Sequence, residues 1–212
     1  MIFVTFEGID GCGKSVQIDL LENRLQADGL KTFRTVEPGG SLVGVEVKRI
    51  LADPDVTMNA LSEFMLFSAS RAELTEKVLL KWRKVPDLIM MIDRFTDSSV
   101  AYQSFGRGLS RDFVEGVNEI VTMKIVPDLT IWLDVPAEEC RQRLRRRGRP
   151  DRMDRLGPRF FDRVRQGYET LHAENPDRIR RVDGVGGIRE VNDRIFEIVT
   201  SEIRKKIRKG EN

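Results

Sequence analysis

A three-layer α/β domain on a mostly parallel, five-stranded sheet is predicted by three features of this sequence. Strand-like apolar runs alternate with helix-periodic stretches along all 212 residues. One run, Leu88-Ile89-Met90-Met91-Ile92, is continuously apolar, as expected of a parallel strand covered on both faces. At the N-terminus, Ile2-Phe3-Val4-Thr5-Phe6 leads into Gly8-Ile9-Asp10-Gly11-Cys12-Gly13-Lys14-Ser15, which matches G-x-x-x-x-G-K-[ST] between a strand and a helical pattern.

Lys14 to about Asp28 reads as a helix, with Ile18, Leu21 and Leu25 on one face and Gly29 as its stop. Thr32–Val36 is a second strand, broken by Glu37-Pro38-Gly39-Gly40. Helices over about 42–52 and 59–83 flank the turn Asp53-Pro54-Asp55. The apolar strand at 88–92 ends on Asp93-Arg94, and a helical region then reaches Met123, interrupted near Gly106 and Gly108. Leu129–Leu133 is a fourth strand, and Pro136 opens the next helix. Phe160, Phe161, Val164, Tyr168 and Leu171 stripe an amphipathic helix, Ile179–Val182 is the weakest strand, and Ile188, Val191, Ile195, Ile198 and Ile203 stripe the last helix. The chain reads as a single domain, residues 1–212, without internal repeats.

Thirty-six basic residues against 34 acidic ones leave a formal charge of +2, which recommends neither nucleic acid nor a membrane as partner. Cys12 and Cys140 suggest no disulfide framework or zinc site, and His172 is the only histidine. No apolar run approaches the ~20 residues of a membrane span, and the first residues read as a strand, not a leader. A cytoplasmic protein is expected.

The glycine-rich loop turns its N–H groups into one concavity and adds the positive end of a helix dipole, so polyphosphate is its natural guest. Lys14 would reach the β- and γ-phosphates and the Ser15 hydroxyl would bind Mg²⁺, with the Asp93 carboxylate holding the metal's shell. Ligands of such sheets bind beyond the carboxyl ends of the strands, which puts residues 8–15, 37–40 and Asp93-Arg94 on one rim. Phosphoryl transfer between two anions needs a cation shared by donor and acceptor, and Arg94 stands where that charge is wanted.

Together, Gly8 to Ser15, Glu37-Pro38-Gly39-Gly40, Leu66-Phe67-Ser68-Ala69-Ser70-Arg71, Asp93-Arg94-Phe95, Ser98-Ser99-Val100-Ala101-Tyr102-Gln103 and Asp151-Arg152 resemble thymidylate kinase in order and spacing, over nearly the whole chain. The resemblance implies the P-loop nucleoside monophosphate kinase fold, transfer of the γ-phosphate of ATP to dTMP with Mg²⁺, a place in dTTP synthesis and a homodimer. It implies that Gly8 through Ser15 and Arg149 bind ATP. It likewise assigns Asp10, Glu37, Pro38, Lys48, Phe67, Arg71, Arg94, Ser99, Tyr102 and Gln103 to dTMP. Phe67 and Arg71, four apart on a helix, offer a stacking plate and a donor, although Phe67 also suits a core. Tyr102 would lie where a ribose 2′-hydroxyl would sit.

Most of the arginine run from Arg141 to Arg147 reads as a solvated helix face. Gly148-Arg149-Pro150-Asp151-Arg152 reads as a flap, part of a mobile lid at about 145–156, with Arg152 as the catalytic lid arginine and Arg149 and Arg147 behind it. This resembles the bacterial type of the family, in which the catalytic arginine is in the lid, consistent with Gly11 following Asp10. Val36, Val16 and Lys48 depart from the family's usual residues. Lysine replaces a bidentate arginine with a point charge, so the phosphate contact stays with Lys48 or passes to Arg49. Two other readings stay open: a kinase for another nucleotide, and an ATP-dependent switch that phosphorylates no small acceptor.

Overall fold

In a computed structural model, residues 1–147, 152–153 and 156–210 are described. The strands are β1 (Ile2–Glu7), β2 (Lys31–Val36), β3 (Leu88–Asp93), β4 (Leu129–Asp134) and β5 (Ile179–Asp183). They form one sheet in the order β2-β3-β1-β4-β5, and every pairing is parallel, so the sheet is wholly rather than mostly parallel. The order reverses beside β1, which opens a crevice at the carboxyl end of β1 where the glycine-rich loop begins.

Both faces of β1 and β3 are apolar because both are covered. Ile2, Val4 and Phe6 cluster with Ile18, Leu21 and Leu25 of α1 (Lys14–Ala27), whereas Phe3 clusters with Met90, Ile92, Phe95 and Leu74 on the opposite face. There α3 (Ala60–Leu74) continues through a π-helical turn, Thr75–Leu79, into α4 (Leu80–Trp82). Glu7 lies on that second face, in phase with Phe3 and Thr5.

Two short elements follow β3: α5 (Thr96–Ser99) and a π-helical stretch, Val100–Gly106, which packs along α8 (Pro158–Glu174). The break expected near Gly106 and Gly108 separates this stretch from α6 (Arg111–Val121). α2 (Leu42–Ala52) lies on α3, and α6 packs against both α3 and the π-helical stretch. α7 (Ala137–Arg147) starts where Pro136 accepts the Cys140 N–H, and α9 (Ile188–Gly210) returns to pack on α1, β4 and β5. None of the described helices is long and apolar enough to cross a membrane.

Two glycines of the loop are obligatory. Gly8 and Gly11 have φ of +135° and +84°, and a Cβ on either would lie 2.6 Å from a backbone carbonyl, of Leu133 and Cys140 respectively. The loop is thereby pressed against β4 and α7.

Candidate active site

A cavity of about 570 Å³ opens at the carboxyl ends of β1, β2 and β3. Its walls include Asp10, Gly11, Gly13, Lys14, Ser15, Glu37, Pro38, Lys48, Phe67, Arg71, Asp93, Arg94, Ser99, Tyr102 and Gln103, which brings together residues from five separate motifs. Gly8, Ile9 and Cys12 lie behind that wall, with Ile9 and Cys12 in the core. Lys14 is held inside the loop's curl, where Nζ donates to the carbonyls of Gly8 and Ile9, both at 3.2 Å.

Arg94 lines the same cavity. It follows β3 with φ of +71°, a left-handed conformation that non-glycine residues adopt at a cost. Its N–H donates to the Phe6 carbonyl at 3.0 Å, and this turns the side chain back over β1. Nη2 donates to Asp10 Oδ1 at 2.7 Å and to the Tyr102 hydroxyl at 3.2 Å, while Nη1 donates to Ser98 Oγ at 2.9 Å and the Tyr168 hydroxyl at 3.3 Å. Burial works to raise the pKa of Asp10, but Arg94 and Lys14 outweigh it and pull the carboxyl down to about 2. Burial raises the Tyr102 phenol well above its ordinary range against the pull of Arg94, so its hydroxyl keeps its proton and donates to Asp10 Oδ2 at 2.9 Å.

Ser15 and Asp93 meet as expected: Ser15 Oγ donates to Asp93 Oδ2 at 2.8 Å. A hydroxyl and one carboxylate, both hard oxygen donors beside a phosphate loop, fit Mg²⁺, which takes few protein ligands and completes its shell with phosphate and water.

Across the cavity Arg71 is almost fully buried and pairs with Glu37. Nη1 donates to Ser99 Oγ at 2.8 Å and to Asn118 Oδ1, and Nη2 donates to the Phe95 carbonyl at 3.2 Å. Burial raises the Glu37 carboxyl, and Arg71 opposes that rise. Glu37 Oε2 and Arg71 Nε are buried and carry no hydrogen bond among the described residues, so this wall keeps polar capacity for a ligand. Phe67 is half-buried, belongs to neither core cluster and faces the cavity, which decides against core packing. Lys48 also lines the cavity, whereas Arg49 is exposed and pairs with Glu46 at 3.0 Å, so only Lys48 is placed to meet a ligand.

Arg152 stands elsewhere than expected. Its guanidinium pairs with Glu63 at 2.7 Å and donates to the Leu51 carbonyl at 2.9 Å, so it is turned onto α2 and α3, not towards the phosphate loop. The reason is electrostatic: Glu63 is only 1% exposed, and burial alone would raise its pKa. Hydrogen bonds and charge from Arg107 and Arg152 more than offset that, holding the carboxylate ionised. Gln103 Nε2 joins the same carboxylate at 3.2 Å. Arg149 and the rest of the lid's centre, residues 148–151, lie outside the described residues. Among the described residues of the arginine run, Arg143 reaches the loop, donating to the Cys12 carbonyl at 3.2 Å and lining the cavity.

Glu7, Ser98, Asn118, Glu63 and Tyr168, none of them a site candidate from the motifs, support the named residues from behind. A polar residue at a position phased with the core, such as Glu7 at the end of an apolar strand, was the available signal. Burial first, and Asp97 second, raise the Glu7 carboxyl from 4.5 to about 7. A carboxyl raised in the folded state contributes stability that is fully present below about pH 4.5 and is lost as pH rises through about 7. Urea unfolding of the wild type and Glu7→Gln at about pH 5 and about pH 8 should therefore show the variant gaining relative stability at the higher pH. Parallel profiles would contradict the assignment.

The Thymidylate kinase family profile matches residues 6–195. The thymidylate kinase of Thermoanaerobacter sp. is 41% identical over 199 residues, covering 93% of this chain and 96% of that protein. The thymidylate kinase of Kosmotoga olearia is 38% identical over 196 residues, covering 92% and 94%. The crystal structure of thymidylate kinase from Ehrlichia chaffeensis superposes with a TM-score of 0.74 at 29% identity, covering 94% of this chain and 98% of that one. With the loop, the Asp93-Arg94 corner and the Phe67–Arg71 wall all in one cavity, this chain belongs to the thymidylate kinase family.

Proposed function

We propose that the cavity seats two nucleotides end to end, and that through them this thymidylate kinase transfers the γ-phosphate of ATP to dTMP, giving dTDP and ADP for dTTP synthesis. The observation that carries the reading is Arg94, whose guanidinium donates to Asp10 of the phosphate loop and lines the same cavity as Phe67 and Arg71. The loop, through Gly8 to Ser15, takes the ATP phosphates, and Arg143 supplies charge at its edge. Phe67 stacks on the thymine, Arg71, Ser99 and Gln103 meet its polar edge, and Tyr102 closes the space beside C2′ of the sugar. Glu37, Pro38 and Lys48 form the remaining wall towards the acceptor phosphate, and Asp10 faces the deoxyribose.

Chemistry here is positioning plus charge neutralisation. Lys14 and Arg94 balance charge on the transferring group, with lid arginines adding to it once the lid closes. No covalent intermediate is needed. Ser15 and Asp93 would hold Mg²⁺, which when bound neutralises phosphate charge.

A homodimer is the assembly we assign: α2, α3 and α6 pack in series and expose Leu42, Leu61, Met65, Phe113 and Ile120, an apolar surface suited to a second copy. We place the enzyme in the cytoplasm.

The test is an ADP-release assay with Mg-ATP and each of dTMP, dUMP, UMP, CMP, GMP and AMP, with Lys14→Ala as control. Turnover should be greatest with dTMP, poor with UMP and lost in the variant. A ribonucleotide preference would overturn the pocket assignment, and ATP binding without acceptor-dependent turnover would overturn the transfer reaction.

A further inference from the structure

Glu7 closes β1 with no exposed surface, yet among the described residues no cation pairs with it directly. Asp97, a buried carboxylate whose charge acts on it, is engaged by Arg178 at 2.7 and 2.9 Å. A buried carboxylate without its own cation lowers stability, so packing alone is a poor account of it. Its hydrogen bonds give a better one. Oε1 accepts the Phe95 N–H at 2.7 Å, and Oε2 accepts the hydroxyls of Ser98 and Tyr168.

Both hydroxyls turn their protons towards Oε2 of Glu7. Their oxygens are then committed to accepting, and what they accept is Nη1 of Arg94, at 2.9 and 3.3 Å. The same carboxylate anchors the backbone of Phe95, the residue after the left-handed Arg94. Asp10 and Tyr102 hold only Nη2. Without the second clamp, the guanidinium would pivot about that one nitrogen.

We propose that Glu7 is a positioning residue for phosphoryl transfer, fixing through Ser98 and Tyr168 the direction in which Arg94 presents its charge. The inference rests on the reading of Arg94 as the cation shared by the two nucleotides.

The test is kcat and KM at saturating ATP and dTMP for Glu7→Gln, for Ser98→Ala with Tyr168→Phe, for Arg94→Ala, and for both lesions combined with Arg94→Ala. Misplacing a reacting group by about 1 Å costs on the order of 10²-fold, and Glu7→Gln should lower kcat by about that factor with both KM values within about threefold. The hydroxyl variant should lose a similar factor. Neither lesion should lower the residual kcat of Arg94→Ala by more than about twofold, because the group they position is gone. Should Glu7→Gln fail to fold, the hydroxyl variant decides by the same criterion. Losses as large in the Arg94→Ala background as in the wild type would overturn the role of Glu7 alone, as would a wild-type kcat in the hydroxyl variant. A wild-type kcat in Arg94→Ala would overturn the reading of Arg94 as well.

Discussion

Replacing Arg94 with alanine should lower kcat for dTMP phosphorylation by about 10³-fold or more, the range in which arginines serve transferring phosphoryl groups. The guanidinium is the only charged group that reaches all four of Asp10, Ser98, Tyr102 and Tyr168 among the described residues, and no neighbour is placed to replace it. Stability should change far less than rate. Asp10 is only partly buried and stays beside Lys14, so the carboxylate left behind is hydrated and still faces a cation. Arg94→Lys should recover little, because an ammonium cannot hold two nitrogens against two different walls. Steady-state turnover beside a thermal melt separates the two quantities. A melt collapsing in step with kcat would mean that Arg94 mainly supports the fold.

Arg71→Ala should do the reverse and strike stability hardest. Arg71 and Glu37 are 1% and 3% exposed, and removing one member of a buried pair typically costs about 3–5 kcal/mol because the other charge is stranded. At about 2–4 °C per kcal/mol for a chain of this size, the melting midpoint should fall by roughly 6–20 °C. Glu37, whose carboxyl burial already raises, should rise further and take up a proton. Asn118 and Ser99 would also lose their donor. Replacing the pair together, Arg71→Met with Glu37→Gln, should restore much of the midpoint while the KM for dTMP stays high. An unchanged midpoint in Arg71→Ala would show that this wall bears no strain from an unpaired charge.

Much of this site was legible along the chain. The phosphate loop, the Asp93-Arg94 corner and the i, i+4 pair of Phe67 and Arg71 are local patterns, and covalent spacing carries them into the fold unchanged. The strand at 88–92 was legible for the same reason, since a parallel strand covered on both faces reads as one continuous apolar run. Glu7 illustrates the limit: its strand end was visible, but its partner Tyr168 is 161 residues away. Arg152 illustrates it differently. A glycine- and proline-rich flap carrying arginine does not reveal which carboxylate its side chain will meet, and the buried Glu63, already paired with Arg107, captured it as well.

By itself, the sequence determined the reaction class and the elements that carry it, because alternating apolar periods and one contiguous loop specify both without reference to distant residues. The tertiary structure alone decided which charges meet. The order β2-β3-β1-β4-β5 sets Arg94 beside Asp10, Glu7 under Ser98 and Tyr168, and Arg143 rather than Arg152 on the loop. A buried charge settles wherever packing brings an opposite charge or a hydrogen bond within reach, and that choice is made in space.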